Sequence, residues 1–223
     1  MRVSAVVFAE APGWSKRRLS EGFGSKEREL LSAAMLEDVL VALKSSVVCE
    51  VVVVGTVSNV RQVVDKCGVS FISERRAGLA SGIRKAIKWC IGRKADAVLV
   101  LPINIPLVSS RDIYGIVELG SQEPSMVLSP SLDGGMSALF LNPPNVIRTC
   151  FGPKCFFKNV EAAIKKDVTV RFYSSRDIAT KVDSREDLQR LLETENCTIN
   201  KDVFQQIASQ KKDKYNDRLK SSA

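Results

Sequence analysis

Residues 51–54 read VVVV and residues 97–101 read AVLVL, and these two runs decide the fold. Neither run alternates with polar residues, and the first is β-branched throughout, as expected for strands that are covered on both faces. Helices that cross over both faces of a parallel sheet bury its strands in this way. The two runs therefore predict a parallel α/β sheet.

Further strands and helices are predicted to alternate around these two runs. The longest helix is predicted from Ser25, a candidate N-cap, because apolar residues then recur at helical spacing as far as Leu43. The other predicted strands span residues 3–8, 69–72, 126–128, 138–141 and 168–172, and the other predicted helices span residues 58–66, 78–90 and 109–119. Alternation of this kind predicts a doubly wound, mostly parallel α/β sheet with helices on both faces.

The composition predicts one domain and an anionic partner. The chain has 223 residues, of which 45% are hydrophobic, and no apolar run approaches the roughly 18 residues of a membrane helix. We expect a cytoplasmic protein with a domain at residues 1–195 and a polar, basic helix or tail at residues 196–223. The net charge of +8 suits a phosphorylated small molecule or nucleic acid. Nucleic acid is disfavoured because basic and aromatic residues are not interleaved.

Histidine is absent from the chain, which contains six cysteines. Without histidine, Ser-His-Asp and Cys-His catalysis are excluded, and the usual zinc sites cannot be assembled. The cysteines form no Cys-x-x-Cys pair, and we expect them to be buried, reduced thiols. The chemistry that remains uses carboxylates, lysines, backbone amides or a hard metal ion, which favours phosphoryl transfer.

Four loops stand out as candidates for a ligand site, because ligands in open α/β sheets bind beyond the carboxyl ends of the strands. They are residues 10–19 (EAPGWSKRRL), 101–106 (LPINIP), 131–139 (SLDGGMSAL) and 182–188 (VDSREDL). Basic residues beside Gly13 suit a polyphosphate, and Asn104 between two prolines suits a metal or ribose ligand. Asp183 precedes a helix that Ser184 is expected to cap. A solvated basic loop and ordinary turns explain the same residues equally well from composition alone.

Taken in order, these loops resemble the 2-phospho-L-lactate guanylyltransferase family of coenzyme F-420 biosynthesis, which is related to molybdenum-cofactor guanylyltransferase. Residues 15–19 (SKRRL) stand where that family has Ala-Lys-Ser-Arg-Leu, residues 102–107 (PINIPL) where it has Pro-Ala-Asp-Leu-Pro-Leu, and residues 79–83 (LASGI) where it has Leu-Asn-x-Ala-Leu. Residues 134–139 (GGMSAL) match Gly-Gly-Thr-Asn-Ala-Leu, residues 151–156 (FGPKCF) match Phe-Gly-Pro-Gly-Ser-Phe, and residues 181–188 (KVDSREDL) match Asp-Val-Asp-Thr-Pro-Glu-Asp-Leu. The resemblance implies a nucleotide-diphospho-sugar transferase-like, Rossmann-like fold.

The same resemblance implies an activity: transfer of GMP from GTP to 2-phospho-L-lactate, or to a similar acid such as phosphoenolpyruvate, with release of pyrophosphate. It implies Mg²⁺ held by Asn104 and Asp183, and Lys16 and Arg18 as catalytic residues that hold the triphosphate. The implied nucleotide-binding residues are Gly13, Lys16, Arg18, Leu79, Ser81, Pro102 and Asn104, and the implied acceptor-binding residues are Gly135, Met136, Gly152 and Cys155. Whether the protein forms a homodimer stays open.

Three departures from the family pattern carry consequences. Asn104 replaces an aspartate, so it supplies no charge against a cation, and weaker magnesium binding is expected. Met136 and Cys155 stand where the family offers hydroxyls, so the acceptor is less well determined than the nucleotide. Two alternatives therefore stay open: a catalytically weakened nucleotide-binding protein, and an NTP transferase with a different phosphorylated acceptor.

Overall fold

The computed structural model describes residues 1–9, 23–55, 58–74, 78–122, 124–152, 154–194 and 200–209. Its strands are β1 (Val3–Phe8), β2 (Glu50–Gly55), β3 (Ser70–Ser73), β4 (Ala97–Pro102), β5 (Ser125–Pro130), β6 (Met136–Asn142) and β7 (Thr169–Phe172). Its helices are α1 (Ser25–Lys44), α2 (Ser58–Cys67), α3 (Leu79–Gly92), α4 (Ser110–Leu119), α5 (Cys155–Ile164), α6 (Arg176–Ala179) and α7 (Arg185–Leu192). Residues 201–209 form a last helical segment.

All seven strands belong to one sheet in the order β3-β2-β1-β4-β6-β5-β7. β3, β2, β1 and β4 run parallel to one another, and β7 runs parallel to β5. β6 is antiparallel to both of its neighbours, β4 and β5. The prediction of a doubly wound, mostly parallel sheet is confirmed. The position of the antiparallel strand was not predicted, because a short apolar run does not encode its direction.

The two runs that predict the sheet lie in its centre and are covered on both faces. In β2, Val51 and Val53 pack into the cluster that includes α1, α2 and α4, while Val52 and Val54 pack into the cluster that includes α3 and α5. All six residues of β4 are buried. Burial on both faces explains the absence of polar alternation in these strands.

Most helix and strand boundaries lie within two residues of the predicted ones. α1 begins at Ser25, but its N-cap is Gly24, whose backbone N–H donates to the Glu27 carboxylate at 2.5 Å. Ser109 caps α4 by accepting a hydrogen bond from the Asp112 N–H. β6 ends at Asn142, directly before Pro143, as the consecutive prolines predict. Within the residues that the structure describes, none of the helices is both long and apolar enough to span a bilayer.

The segment 201–209 packs on the domain instead of projecting from it. Phe204 and Ile207 are buried against α1 and α7, in a cluster that includes Leu31 and Leu188. The Arg185 guanidinium donates hydrogen bonds to the carbonyl oxygens of the last turn of this segment. The predicted boundary at residue 195 is not tested by these contacts, but the folded body includes residues beyond it.

The expectation that the cysteines are buried, reduced thiols is wrong for several of them. Cys150 and Cys155 form a disulfide, and their Cα atoms lie 5.2 Å apart, within the usual range for such a bond. Cys49 is a free thiol at the surface, and Cys67 is partly exposed. Cys90 fits the expectation, since it is buried and the loss of solvent raises the pKa of its thiol to about 12.

Candidate active site

Asn104 and Asp183 meet beyond the carboxyl end of β4, although they are far apart in the sequence. The Asn104 side-chain amide donates a hydrogen bond to the Asp183 carboxylate, with 2.6 Å between Nδ2 and Oδ1. Between the main chains, the Val182 N–H donates to the Asn104 carbonyl oxygen at 2.9 Å. The strand-end loop and the segment before α7 are therefore joined at both backbone and side-chain level. The structure brings together the two residues that were predicted to hold a metal.

The start of α7 fixes the backbone of Asp183. Ser184 caps the helix, since its hydroxyl accepts from the Asp187 N–H at 3.1 Å. In return, the Asp187 carboxylate accepts from the Asp183 N–H at 3.1 Å. This reciprocal pair is a capping arrangement, and it leaves the Asp183 side chain free to turn toward Asn104.

Burial of Asp183 raises the pKa of its carboxyl above the ordinary value of 3.8. The Asn104 hydrogen bond and the positive charge of Lys181 oppose this effect, whereas the negative charges of Asp133 and Asp187 add to it. Desolvation therefore outweighs the stabilising contacts, and the carboxylate is kept ionised at some cost. Costs of this kind are typical of functional carboxylates.

The glycine loop between β5 and β6 reaches this pair through Lys181. Asp133 accepts hydrogen bonds from the Ser131 hydroxyl and, at 3.1 Å, from the Gly135 N–H. Its carboxylate forms an ion pair with Lys181, whose Nζ lies 3.6 Å from Asp133 Oδ1. Burial would raise the pKa of the Asp133 carboxyl, but the hydrogen bond from Ser131 and the nearby Lys181 together lower it. Asp133 therefore stays ionised and holds the lysine beside Gly135.

Lys181 is the residue of this site that the sequence interpretation missed. Its side chain is 17% exposed, pairs with Asp133 of the glycine loop, and its positive charge acts on the Asp183 carboxylate. The signal was available in the motif at residues 181–188, where the family pattern begins with aspartate and this chain has lysine. The charge at this position is therefore opposite to that of the family pattern, two residues before a predicted metal ligand.

Cys150, Gly152 and Cys155 lie around the N-terminus of α5, where the Cys155 N–H donates to the Gly152 carbonyl oxygen at 3.2 Å. Both backbone groups of Cys150 are bound by the buried Asn159 side chain, at 2.8 Å for the N–H and 3.0 Å for the carbonyl oxygen. Gly152 has a φ of 117°, a conformation that L side chains rarely adopt. Because the Cys155 sulfur is bonded to Cys150, it offers no thiol to an acceptor.

Leu79 and Ser81 lie in the first turn of α3, which packs closely on the carboxyl end of β2. A Cβ on Gly82 would lie 2.7 Å from Val54 Cγ1 and 3.2 Å from the Glu74 side chain. The helix therefore approaches the sheet at a distance that only glycine permits. Leu79 packs on the apolar cluster beneath α3, so its side chain is in part structural.

The other predicted site residues are distributed as follows. Pro102 is buried at the end of β4, where it pairs with Phe8 of β1. Met136 begins β6 and packs on the cluster beneath α3 and α5. Gly13, Lys16 and Arg18 lie outside the described residues, so their predicted roles stay predictions.

A family model described as guanylyl transferase CofC like matches residues 4–222. The chain belongs to the guanylyl transferase CofC-like family. Its relatives include a phosphoenolpyruvate guanylyltransferase of Rubrobacter xylanophilus, 30% identical, with 86% of this chain and 94% of that protein covered. They also include a 2-phospho-L-lactate guanylyltransferase of Methanocaldococcus sp., 28% identical, with 90% of this chain and 86% of that protein covered.

The fold of this CofC-like chain also resembles a solved structure at low sequence identity. A protein of Desulfovibrio desulfuricans, assigned as a nucleotide-diphospho-sugar transferase, superposes with a TM-score of 0.71 at 16% identity. The match covers 93% of this chain and 99% of the other. The predictions of the family, of a nucleotide-diphospho-sugar transferase-like fold and of nucleotidyltransferase activity are confirmed, and the protein is a nucleotidyltransferase.

The donor set of this CofC-like chain fits a magnesium ion that is shared with a triphosphate. Asp183 supplies one carboxylate, and Asn104 Oδ1 is a buried oxygen with no hydrogen-bond partner among the described residues. The described part of the chain contains no group of three or more acidic, cysteine or histidine side chains that could hold a metal. Magnesium often binds through one or two carboxylates and completes its shell with substrate phosphates and water. Asn104 and Asp183 are suited to that mode.

Proposed function

We propose that this protein transfers GMP from GTP to a small phosphorylated acid, 2-phospho-L-lactate or phosphoenolpyruvate, and releases pyrophosphate. The proposal places this reaction in coenzyme F-420 biosynthesis and in the cytoplasm. One observation carries it: the contact between Asn104 and Asp183 beyond the carboxyl end of β4, in a member of the CofC-like family. This is the edge of the sheet where nucleotides bind in doubly wound folds.

In the proposed reaction, a phosphate oxygen of the acceptor attacks the α-phosphorus of GTP. The bond between this oxygen and the α-phosphorus forms, and the bond from the α-phosphorus to the bridging oxygen breaks. Pyrophosphate leaves with the electron pair. The attacking phosphate is already ionised at neutral pH, so no general base is required. A chain without histidine can therefore support this chemistry through positioning and charge.

The described residues would contribute chiefly to positioning. Asp183 and Asn104 would hold a magnesium ion, which when bound neutralises charge on the triphosphate. The reciprocal capping contacts of Ser184 and Asp187 keep the Asp183 backbone in place. Lys16 and Arg18 are proposed to bind the triphosphate. Met136 and Cys155 provide no hydroxyl, so backbone groups near Gly135 and Gly152 are proposed to bind the acceptor.

The experiment is a pyrophosphate-release assay with purified protein, GTP and MgCl₂. The acceptors are 2-phospho-L-lactate, phosphoenolpyruvate and 3-phospho-D-glycerate, and CTP and ATP replace GTP as nucleotide controls. We expect release that depends on GTP and on at least one acceptor, with the guanylylated acid identified by mass spectrometry. No release with any acceptor at high enzyme concentration would reject the transferase.

The neutral Asn104 favours a second candidate, a nucleotide-binding protein that has lost turnover. Its amide hydrogen bond holds Asp183 in place without a cation, so the site stays ordered even if metal binding is weak. Calorimetric titration with GTP separates the two functions. Tight binding of GTP together with no pyrophosphate release would support the binding protein.

A further inference from the structure

Lys181 changes the charge of the candidate site relative to the family pattern. Where that pattern has aspartates, this chain has asparagine at 104 and lysine at 181. The first replacement removes one negative charge, and the second shifts the charge by two units. At these two positions together, the candidate site is three charge units more positive than the family pattern.

The surroundings of Lys181 give no sufficient structural reason for a lysine. Among the residues that the structure describes, its ion-pair partner is Asp133, whose side chain is 50% exposed, at 3.6 Å between Nζ and Oδ1. A pair of this length with a half-exposed partner contributes little to stability. An ordinary surface lysine would extend into solvent, whereas this side chain is only 17% exposed.

The Lys181 ammonium lies where three parts of the candidate site converge. A Cβ built on Gly135 would lie 3.3 Å from its Nζ, so the ammonium rests directly against the glycine loop. Its charge also acts on the Asp183 carboxylate, which is bound by Asn104. A phosphate placed between the glycine loop and Asp183 would therefore meet this ammonium.

We propose that Lys181 is a catalytic residue that binds the phosphate undergoing transfer. Its ammonium supplies positive charge that a metal ion bound by aspartates would supply in a site with the family pattern. The inference rests on the proposed nucleotidyl transfer. As the acceptor oxygen bonds to the α-phosphorus and the pyrophosphate bond breaks, negative charge grows on the oxygens around the phosphorus. An ammonium fixed beside the site stabilises this charge without rearranging during the step.

The test compares Lys181→Met, which removes the charge and keeps the length, with Lys181→Arg, which keeps the charge. We expect Lys181→Met to lower kcat about 100-fold, the size typical of losing one group that stabilises a transition state, with a smaller change in the KM of GTP. Lys181→Arg should recover part of kcat. Lys165→Met, which removes an exposed lysine at the end of α5, is the control for net charge.

A second measurement does not depend on turnover. GMP, which carries the phosphate that is transferred, is titrated by calorimetry in EDTA, so that no divalent cation takes part, and Lys181→Met is expected to bind it at least tenfold more weakly than the wild type. Asp133→Asn removes the ion pair but keeps the ammonium. It should retain GMP binding, whereas a purely structural role for Lys181 predicts that Asp133→Asn and Lys181→Met lose binding alike.

The outcomes separate this inference from the proposed function. If the wild type releases pyrophosphate and Lys181→Met keeps wild-type kcat and wild-type binding in EDTA, the role of Lys181 is rejected and the transferase stands. If the wild type shows no turnover, the transferase is rejected, and equal GMP binding by both proteins then rejects Lys181 as a phosphate ligand. Thermal unfolding confirms that each variant is folded.

Discussion

At the scale of single residues, the contact between Asn104 and Asp183 forms without a metal ion, and the proposed site would use the same two residues to bind magnesium. An amide can donate to the carboxylate, as it does here at 2.6 Å, whereas two carboxylates at that distance repel each other unless a cation or proton lies between them. In the proposed site, the asparagine would therefore lower the affinity for magnesium and keep the metal-free protein ordered. This exchange can be measured.

Asn104→Asp should make the site dependent on magnesium. Without divalent cations, we expect a loss of about 1–2 kcal/mol in the free energy of unfolding, because the two carboxylates compete for ionisation. Magnesium should restore the stability of the variant. The variant should also bind the ion more tightly than the wild type and show a higher transferase rate. The measurement is the midpoint of thermal unfolding across a magnesium titration.

The matched control for this change is the double variant Asn104→Asp with Asp183→Asn, which reverses the pair and keeps a single charge. It should show the small magnesium response of the wild type. An equal magnesium response in the wild type and in Asn104→Asp would place the metal elsewhere.

Asp183→Asn should stabilise the protein at neutral pH while lowering its activity. Because burial raises the pKa of Asp183 in the folded state, ionisation disfavours folding at neutral pH. This penalty is present above the native pKa and disappears as the pH falls toward the ordinary value of 3.8. The stability advantage of Asp183→Asn should therefore shrink from pH 7 to pH 4 in urea unfolding. A variant less stable than the wild type at pH 7 would contradict this account.

At the scale of elements, α3 depends on the missing side chain of Gly82. Gly82→Ala would place its Cβ 2.7 Å from Val54 Cγ1, so the helix must move away from β2. We expect a loss of about 1–3 kcal/mol in the free energy of unfolding, the usual cost of overpacking. If Leu79 and Ser81 contact the nucleotide, the affinity for GTP should fall as well.

Gly92, the last residue of the same helix, provides the comparison. An added Cβ there meets nothing within 4 Å, so Gly92→Ala should be neutral or stabilising by at most about 1 kcal/mol. Urea unfolding of the two variants measures the difference. Equal stabilities would show that α3 can shift without cost.

The elements that the sequence predicts well are those whose residues carry the signal themselves. Residues 51–54 of β2 and all of β4 are apolar because they are buried on both faces, and the cap of α4 is visible as Ser109 followed by Asp112. The direction of β6 is not visible, since antiparallel pairing with β4 and β5 depends on partners distant in sequence. The disulfide between Cys150 and Cys155 depends on a turn geometry that their spacing alone does not fix.

The residues of the candidate site divide in the same way, into those that a sequence motif marks and those that only the three-dimensional structure reveals. Asn104 and Asp183 are recognisable because each stands in a motif of the family, and their contact follows from the fold. Lys181 was missed because it departs from the motif. In a comparison with the family pattern it is a mismatch, and a mismatch does not by itself indicate a functional group. Its contacts with the glycine loop required the three-dimensional arrangement.

At the scale of the whole molecule, the C-terminal helical segment is coupled to the candidate site through α7. Phe204 and Ile207 pack on α1 and α7, and the Arg185 guanidinium donates to the carbonyl oxygens of Ile207 and Ala208 at 3.2 Å and 3.1 Å. Arg185 is the first residue of α7, two positions after Asp183. The segment therefore supports the helix whose start positions the carboxylate.

Phe204→Ala should therefore destabilise the entire domain. Truncation of a buried phenylalanine costs about 3–5 kcal/mol, and Phe204 has no exposed surface. Gln205→Ala removes an exposed neighbour in the same helical segment and should change the free energy of unfolding by less than about 0.5 kcal/mol. Urea unfolding followed by far-ultraviolet circular dichroism measures both variants.

If residues 201–209 belong to the domain, Phe204→Ala shifts the single cooperative unfolding transition of the domain to lower urea concentration, because the cluster formed with α1 and α7 is part of the core that unfolds. An unshifted main transition in Phe204→Ala would instead make the segment an independent appendage, and the support of Asp183 would then have to come from the Asn104 contact and the α7 cap alone.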